Sequence, residues 1–197
     1  MTDARELVLV RHGPPDIRVN QPAPTWQLCD DGRADVALLA EALPRAPVVV
    51  TSDEPKAVQT AEILHVVVGG DLRVDVRLRE AIRPDAWVTD YEVRAARYLT
   101  RGHEPGWEPA HDVRDRVREA IGELPSGAIV VGHGLSLTLY TATLARFDHV
   151  SFWRHLRLPD AWIAAEGVAP RIIEPRPHPE RGGRPQAVSV SARPVPT

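Results

Sequence analysis

Short aliphatic runs that alternate with helical patterns constrain the fold of this chain more than any other feature. Residues 7–10, 48–50 and 128–131 are entirely aliphatic, and runs of this length indicate strands buried on both faces of a parallel sheet. Apolar residues at helical spacing predict helices over residues 32–43, 57–64, 91–100, 113–124 and 135–144. This alternation predicts an α/β fold, a three-layer αβα sandwich with a mostly parallel central sheet.

Weaker patterns predict the remaining strands. Val74, Val76 and Leu78 alternate with polar residues, as in a half-buried or edge strand. Residues 161–165 and 171–173 are expected to form two late strands joined by a turn that contains glycine and proline.

The last part of the chain differs in composition from the rest. Six prolines and few large apolar residues lie between positions 174 and 197, which is typical of a segment without a core of its own. We therefore predict a folded domain over residues 1–174 and a proline-rich tail over 175–197. Val188 and Val190 alternate with serines, and an edge strand there that pairs with a second subunit, giving a homodimer, is one option.

Composition limits the classes of partner. The 197-residue chain is 43% hydrophobic and has a net charge of -3, which suits one packed domain and gives no basic surface for nucleic acid. No run reaches the roughly 18 apolar residues of a membrane helix, and no signal-peptide pattern is present. Cys29 is the single cysteine, so neither an internal disulfide nor a zinc-type cysteine spacing is expected. We expect a protein of the reducing cytoplasm that acts on a small molecule.

Polar residues follow four of the predicted strands. Because ligands bind outside the carboxyl ends of strands in open α/β sheets, we expect these residues to meet in one crevice. In chain order the candidates are Arg11, His12, Ser52, Lys56, Glu80, His133 and Gly134. Ser52 has a second interpretation as the cap of the helix that follows it, and Glu80 as a solvated carboxylate at a strand end.

Two histidines, two cations and one carboxylate suit phosphoryl transfer through a covalent phosphohistidine. A neutral imidazole can attack phosphorus, and Arg11, Lys56 and His133 can hold the equatorial oxygens. A carboxylic acid can protonate the departing alkoxide. This chemistry requires neither a metal nor an organic cofactor, and no histidine pair has the spacing of a metal site on one helix.

The same segments resemble the histidine phosphatase superfamily, branch 1, which includes the cofactor-dependent phosphoglycerate mutases. The resemblance runs from residue 7 to 174 and rests on "LVRHG", "LCDDGRADVALLAEAL", "TSDEPKAVQTAEIL", "RLRE", "VVGHG" and "LRLPDAWIAA". It implies a phosphoglycerate mutase-like fold with His12 as the nucleophile and Glu80 as the proton donor. It also implies that Arg11, Lys56 and His133 bind the phosphoryl group, and that the carbonyl of Gly13 fixes the His12 tautomer.

Three features depart from the pattern that the resemblance implies. Lys56 stands where the family has an arginine, which keeps the charge but loses the bidentate fork that suits phosphate oxygens. Pro14 and Pro15 follow the first motif, and they fix their own φ and remove two backbone donors. The acid loop reads "AIRPDAW", so Asp85 is a rival for the role of proton donor.

These observations predict a metal-independent phosphomonoesterase of the histidine phosphatase type, acting on a small phosphorylated metabolite. A phosphoglycerate-type mutase is a first alternative, because it would use the same phosphohistidine. A non-catalytic module that binds phosphate and regulates a partner is a second. Trp26, Trp87 and Trp107 are expected to overhang the site, whereas Trp153 and Trp162 are expected in the core.

Overall fold

The computed structural model describes residues 5–175. Its sheet has six strands in the order β3-β2-β4-β1-β5-β6. The strands are β1 (Leu7–Arg11), β2 (Val48–Thr51), β3 (Asp71–Val74), β4 (Ile129–Gly132), β5 (Asp160–Ala165) and β6 (Val168–Ile172). β1, β2, β3 and β4 pair in parallel, and β5 and β6 add antiparallel strands beyond β1.

Six helices cover the sheet in the described part of the chain. They are α1 (Asp30–Ala40), α2 (Pro55–Val68), α3 (Tyr91–Arg101), α4 (Ala110–Gly122), α5 (Gly134–Leu144) and α6 (His149–His155), with 3-10 turns at Ala23–Thr25 and Val76–Leu78. The predicted α/β architecture with a mostly parallel central sheet is confirmed. None of these helices is long and apolar enough to cross a membrane.

Alternating side chains of the strands form two hydrophobic cores. Val8, Val10 and Val49 face one side and pack with α1 and α2, whereas Leu7 and Leu9 face the other and pack with α3 to α6. Both faces of the central strands are therefore buried, which explains why these segments are continuously aliphatic. Burial of each such side chain contributes about 1.5–3 kcal/mol to folding.

Several boundaries and elements differ from the sequence predictions. Arg11, expected to begin a loop, is the last residue of β1 and pairs with Gly132 and Asp160. The strand predicted through Val76 and Leu78 is wrong, because β3 ends at Val74 and a 3-10 turn follows. The carboxylate of Asp75 starts this turn by accepting from the backbone N of Arg77 at 2.9 Å.

The helices and tryptophans show further differences. No pattern predicted α6, and α1 begins at Asp30 because the sulfur of Cys29 accepts from the backbone N of Gly32 at 3.3 Å. Trp153 and Trp162 are buried as expected. Trp107, expected to overhang the site, is also buried, with its ring stacked on that of Tyr91. The edge strand suggested at Val188 and Val190 lies outside the described residues.

Candidate active site

The first and fourth strands place two of the predicted residues side by side. β1 and β4 are parallel neighbours, and the segments after them lead to α1 and α5 on opposite faces of the sheet. Such a point leaves a crevice at the carboxyl ends of the strands. The backbone N of His12 donates to the carbonyl of Gly132 at 3.0 Å, and the ring centroids of His12 and His133 are 5.1 Å apart.

The ring of His12 is buried and held in one orientation. Its Nδ1 lies 2.8 Å from the carbonyl oxygen of Gly13, and since a carbonyl only accepts, Nδ1 carries the proton and Nε2 has a free lone pair. Burial is the main cause that lowers the pKa of His12 well below its ordinary value, and electrostatic interaction with His133 and then with Lys56 lowers it further. The backbone N of Gly13 donates to Oγ1 of Thr60 at 3.0 Å. His12 is therefore a neutral imidazole in a fixed orientation, with the lone pair of Nε2 free.

Arg11 reaches across the crevice toward α5 and α6. Its Nη1 donates to the carbonyl of Leu156 at 2.7 Å, and its buried Nε has no hydrogen-bond partner among the described residues. Burial lowers the pKa of this guanidinium, although it stays charged at neutral pH. A Cβ at Gly134 would lie 3.2 Å from Nε of Arg11 and 3.1 Å from Nε1 of Trp153. The absence of a side chain at Gly134 therefore leaves the space that the guanidinium of Arg11 occupies.

His133 lies at the N-cap of α5, fully buried. Its Nε2 is 3.0 Å from Oγ of Ser52, while its Nδ1 has no partner within residues 5–175. Burial first, and the charge of Lys56 second, lower the pKa of His133 well below its ordinary value. The expectation that Ser52 caps the next helix is wrong, because α2 begins at Pro55 with Glu54 at its N-cap.

Glu80 docks on the first turn of α5. Its carboxylate oxygens accept from the backbone N of Leu135 at 3.0 Å and of Ser136 at 2.8 Å. The positive end of the helix dipole and unpaired N–H groups make a helix N-terminus a favourable place for a carboxylate. Glu80 therefore lies beside the turn that carries His133 and Gly134. Asp85, the rival acid, lies in an exposed loop.

Lys56 is buried at the start of α2 and points into the site. Its Nζ donates to the carbonyl of Ala23 at 2.9 Å and forms an ion pair with the carboxylate of Glu54. No sequence motif predicted a role for Glu54. Oε1 of this carboxylate lies 3.4 Å from Nε2 of His133 and accepts from the backbone N of Glu80 at 3.0 Å. The signal that the sequence offered for Glu54 was its position, three residues after a buried strand and two residues before the predicted cation.

A second charged residue that the sequence patterns missed is Arg83. Its guanidinium lies over the rings of Tyr91 and Trp107, at 4.9 and 5.8 Å from their centroids. Its charge contributes to lowering the pKa of His133, so this cation acts on the site. Arg83 lies in the "AIRPDAW" loop, which matches no family motif. Its inward position depends on contact with the aromatic rings of α3 and of the loop after α3.

The described residues contain no group of three metal-ligating side chains. What they hold together is a neutral imidazole with a free nitrogen, a second imidazole, the cations Arg11 and Lys56, and two carboxylates. This set can bind a tetrahedral oxyanion, accept a phosphoryl group on nitrogen and move a proton through a carboxyl group.

Comparison with known proteins identifies relatives of this arrangement. Residues 7–164 match the family described as the histidine phosphatase superfamily, branch 1. A probable phosphoglycerate mutase, GpmB, of Salmonella typhi is 32% identical over an alignment of 111 residues that covers 49% of this chain and 52% of that protein. The chain thus spans about half the length of the curated relatives it matches.

Solved structures share the fold over more of the chain. A mycobacterial glucosyl-3-phosphoglycerate phosphatase superposes with a TM-score of 0.66 at 25% identity, covering 86% of this chain and 97% of that one. A phosphoglycerate mutase from Thermus thermophilus superposes with a TM-score of 0.65 at 24% identity, covering 86% and 99% of the two chains. The second likeness concerns the fold alone.

Proposed function

The chain belongs to the histidine phosphatase superfamily, branch 1, and from this premise we propose that it is a metal-independent phosphomonoesterase. The observation that carries the proposal is the free Nε2 of His12. The carbonyl of Gly13 holds the proton on Nδ1, and the lowered pKa keeps the ring neutral. A buried neutral imidazole beside two cations is suited to attack phosphorus.

In the first step, Nε2 of His12 forms a bond to phosphorus while the bond from phosphorus to the leaving oxygen breaks. Glu80 gives a proton to that oxygen, so the product leaves as an alcohol. Among the described residues, the groups that donate to the oxygens of Glu80 are backbone N–H groups. None of these groups can accept a proton, so the proton of a neutral Glu80 is free to turn toward the leaving group.

In the second step, water attacks the phosphohistidine. Glu80, now a carboxylate, takes a proton from the water as its oxygen bonds to phosphorus, and the bond from phosphorus to Nε2 breaks. Inorganic phosphate leaves, His12 is neutral again, and Glu80 carries the proton for the next cycle. One side chain thus serves as acid and then as base.

The equatorial oxygens of the phosphoryl group are proposed to meet Arg11, Lys56 and His133. Arg11 has an unpartnered Nε and His133 an unpartnered Nδ1 within the described part of the chain, both buried, and a buried polar atom without a partner is uncommon unless a ligand completes it. Ser52 and the backbone at Gly134 are proposed as further contacts. Each contact that strengthens in the transition state is worth about 2.7–4 kcal/mol.

The substrate class is proposed to be a small phosphorylated metabolite. Trp26 lies next to the site, because its carbonyl accepts from the backbone N of Lys56 at 3.1 Å, and its ring is 6.3 Å from that of the exposed Trp87. Such a pair presents an apolar surface with polar edges, which suits the ring or chain of a sugar or glycerate phosphate. The single cysteine supports a reducing, cytoplasmic setting, and neither nucleic acid nor a lipid surface is part of the proposal.

A chelator experiment tests the reaction. Wild-type protein is expected to hydrolyse a generic aryl phosphate in the presence of excess EDTA, and His12→Ala is expected to be inactive. His103→Ala, an exposed histidine between α3 and α4, is the matched control and keeps full activity. Hydrolysis by His12→Ala at the wild-type rate, or a requirement for added metal, would contradict the proposal.

Mutase activity is the second candidate, favoured by the likeness to the probable phosphoglycerate mutase of Salmonella typhi. A mutase returns the phosphoryl group from the histidine to its substrate rather than to water. Incubation with a phosphoglycerate, followed by measurement of both free phosphate and isomerised product, separates the two activities. A phosphatase releases phosphate in proportion to substrate lost, whereas a mutase leaves total ester unchanged.

A further inference from the structure

Glu54 is a buried carboxylate inside the proposed phosphate pocket. Its side chain is 5% exposed and is paired with Nζ of Lys56, whose own side chain is 7% exposed. The same carboxylate lies 3.4 Å from Nε2 of His133. Two of the groups proposed to hold the phosphoryl oxygens are therefore already in contact with a carboxylate of the protein.

Glu54 changes the charge that the pocket presents to an oxyanion. The cations are Arg11 and Lys56, while His12 and His133 are neutral because burial lowers the pKa of each. The carboxylate of Glu54 offsets the charge of Lys56 at direct contact. A bound oxyanion meets repulsion from Glu54 in proportion to its own charge, so a doubly charged ligand is disfavoured twice as strongly as a singly charged one.

On the basis of the proposed phosphoryl-transfer site, we infer that Glu54 is a specificity-determining residue that weakens the binding of doubly charged tetrahedral oxyanions relative to singly charged ones. Phosphomonoesters and free phosphate carry a second charge near neutral pH, whereas the group in flight is metaphosphate-like and less charged. Glu54 therefore disfavours bound substrate and bound product more than the transition state. Weak ground-state binding keeps KM high and releases phosphate quickly.

Two anions that do not titrate near neutral pH measure this effect directly. Sulfate and perrhenate are both tetrahedral, and they carry two charges and one charge respectively. Their dissociation constants are measured by calorimetry at neutral pH for the wild-type chain and for Glu54→Gln. The glutamine keeps an oxygen that can accept the hydrogen bond from the backbone N of Glu80. The matched control is Glu104→Gln, because Glu104 is equally buried, pairs with Arg97 at 3.2 Å, and lies between α3 and α4.

Glu54→Gln is expected to tighten sulfate by about tenfold or more and perrhenate by roughly threefold, since the repulsion removed scales with ligand charge. Glu104→Gln is expected to change neither constant. The same Glu54→Gln variant should lower KM for an aryl phosphate and the inhibition constant of phosphate together, without raising kcat. Sulfate affinity within twofold of wild type in folded Glu54→Gln would overturn the inference, and so would equal tightening of both anions.

Glu54→Ala removes the same charge without introducing an amide, and it serves where Glu54→Gln does not fold. It is expected to tighten sulfate more than perrhenate by the same factors, and equal tightening of both anions would overturn the inference. Failure of the proposed function has a different signature. A wild-type chain that neither binds these anions nor hydrolyses an aryl phosphate contradicts the site itself. Normal hydrolysis by the wild type, with equal tightening of sulfate and perrhenate in Glu54→Gln, contradicts only the role of Glu54.

Discussion

His12 and His133 meet edge to face, with ring centroids 5.1 Å apart and ring planes inclined by 63°. Burial is the main cause that lowers the pKa of both rings, and nearby positive charge acts in the same direction. A proton on either ring would be buried from water and beside the positive charges of Lys56 and Arg11. Both rings therefore stay neutral at neutral pH, which leaves Nε2 of His12 with the free lone pair that the proposed attack on phosphorus needs.

The two lowered histidine pKa values predict a specific loss of stability in acid. In the unfolded chain both titrate near 6.5, so below this pH the unfolded state binds more protons than the folded one. Stability is therefore full above about pH 6.5 and falls as the pH drops toward the folded pKa values, by up to about 1.4 kcal/mol per pH unit for each ring.

Urea unfolding at several pH values between about 5 and 8 measures this dependence. His12→Asn is expected to remove about half of the slope between pH 6.5 and the folded pKa values, since one of two buried rings is gone. His103→Asn, at an exposed position, is expected to leave it unchanged. A slope in His12→Asn as steep as that of the wild type would contradict the lowered pKa of His12.

Removal of the Lys56 cation is predicted to lower both the stability and the activity of the protein, each for its own reason. Lys56→Met leaves the buried carboxylate of Glu54 without its partner, and breaking a buried pair in this way costs about 3–5 kcal/mol. It should also lower kcat/KM of the aryl phosphate by about 100-fold or more, because a transition-state contact is lost.

The double variant Lys56→Met with Glu54→Gln tests the cause. It should recover most of the lost stability, because no unpaired charge remains, and little of the activity, because the cation is still missing. Free energies of unfolding and kcat/KM are measured on the wild type, on Lys56→Met, on Glu54→Gln and on the double variant. Recovery of activity to near the wild-type level in the double variant would show that Lys56 does not contact the phosphoryl group.

The sequence predicts which residues meet at the strand ends, because strand periodicity indicates burial. The aliphatic runs at 7–10, 48–50 and 128–131 indicate where the sheet lies, and parallel strands bring their carboxyl ends to one edge. This was enough to predict that His12 and His133 meet, which depends on the order of strands rather than on fine contacts. The architecture was predictable for the same reason.

The residues that sequence reasoning missed depend on long-range packing. Glu54 looks like an ordinary charged residue of a helix start, and only the pairing of β2 with β4 brings it to His133. Arg83 is directed inward by the rings of Tyr91 and Trp107, which belong to separate segments. Near Val76, the carboxylate of Asp75 accepts a hydrogen bond from the backbone N of Arg77, and this local contact outweighs the alternating pattern because side-chain hydrogen bonds compete with strand formation.

A methyl group at position 134 is predicted to displace Arg11. A Cβ there would lie 3.2 Å from Nε and 3.3 Å from Cζ of the guanidinium, which is tighter than ordinary contact, so the guanidinium must give way by a few tenths of an ångström. Because misplacement of a catalytic group by about 1 Å can cost 10²-fold in rate, this smaller shift in Gly134→Ala should lower kcat/KM by about 2- to 10-fold.

The matched control is Gly122→Ala in α4, where a Cβ would meet nothing within 4 Å. This change should leave kcat/KM unchanged and raise stability by about 0.5–1 kcal/mol, as expected for alanine in place of glycine in a helix. Steady-state kinetics and urea unfolding compare the two variants. Full activity in Gly134→Ala would show that Arg11 does not need its present position.

The choice between Glu80 and Asp85 as proton donor is decided by the leaving group. Glu80→Gln keeps an oxygen for the backbone N–H groups of α5 but has no proton to give, so it should lower kcat/KM of an alkyl phosphate by about 10²- to 10⁴-fold. An acidic phenol needs no proton to leave, so kcat/KM of its aryl phosphate, which is set by formation of the phosphohistidine, should fall far less, whereas kcat falls for both esters because Glu80 also activates the water. Asp85→Asn, in the exposed loop, should change neither rate. An equal loss of kcat/KM on both esters in Glu80→Gln would mean that Glu80 holds the turn carrying His133 in place rather than donating the proton, because a displaced site slows formation of the phosphohistidine from every substrate alike.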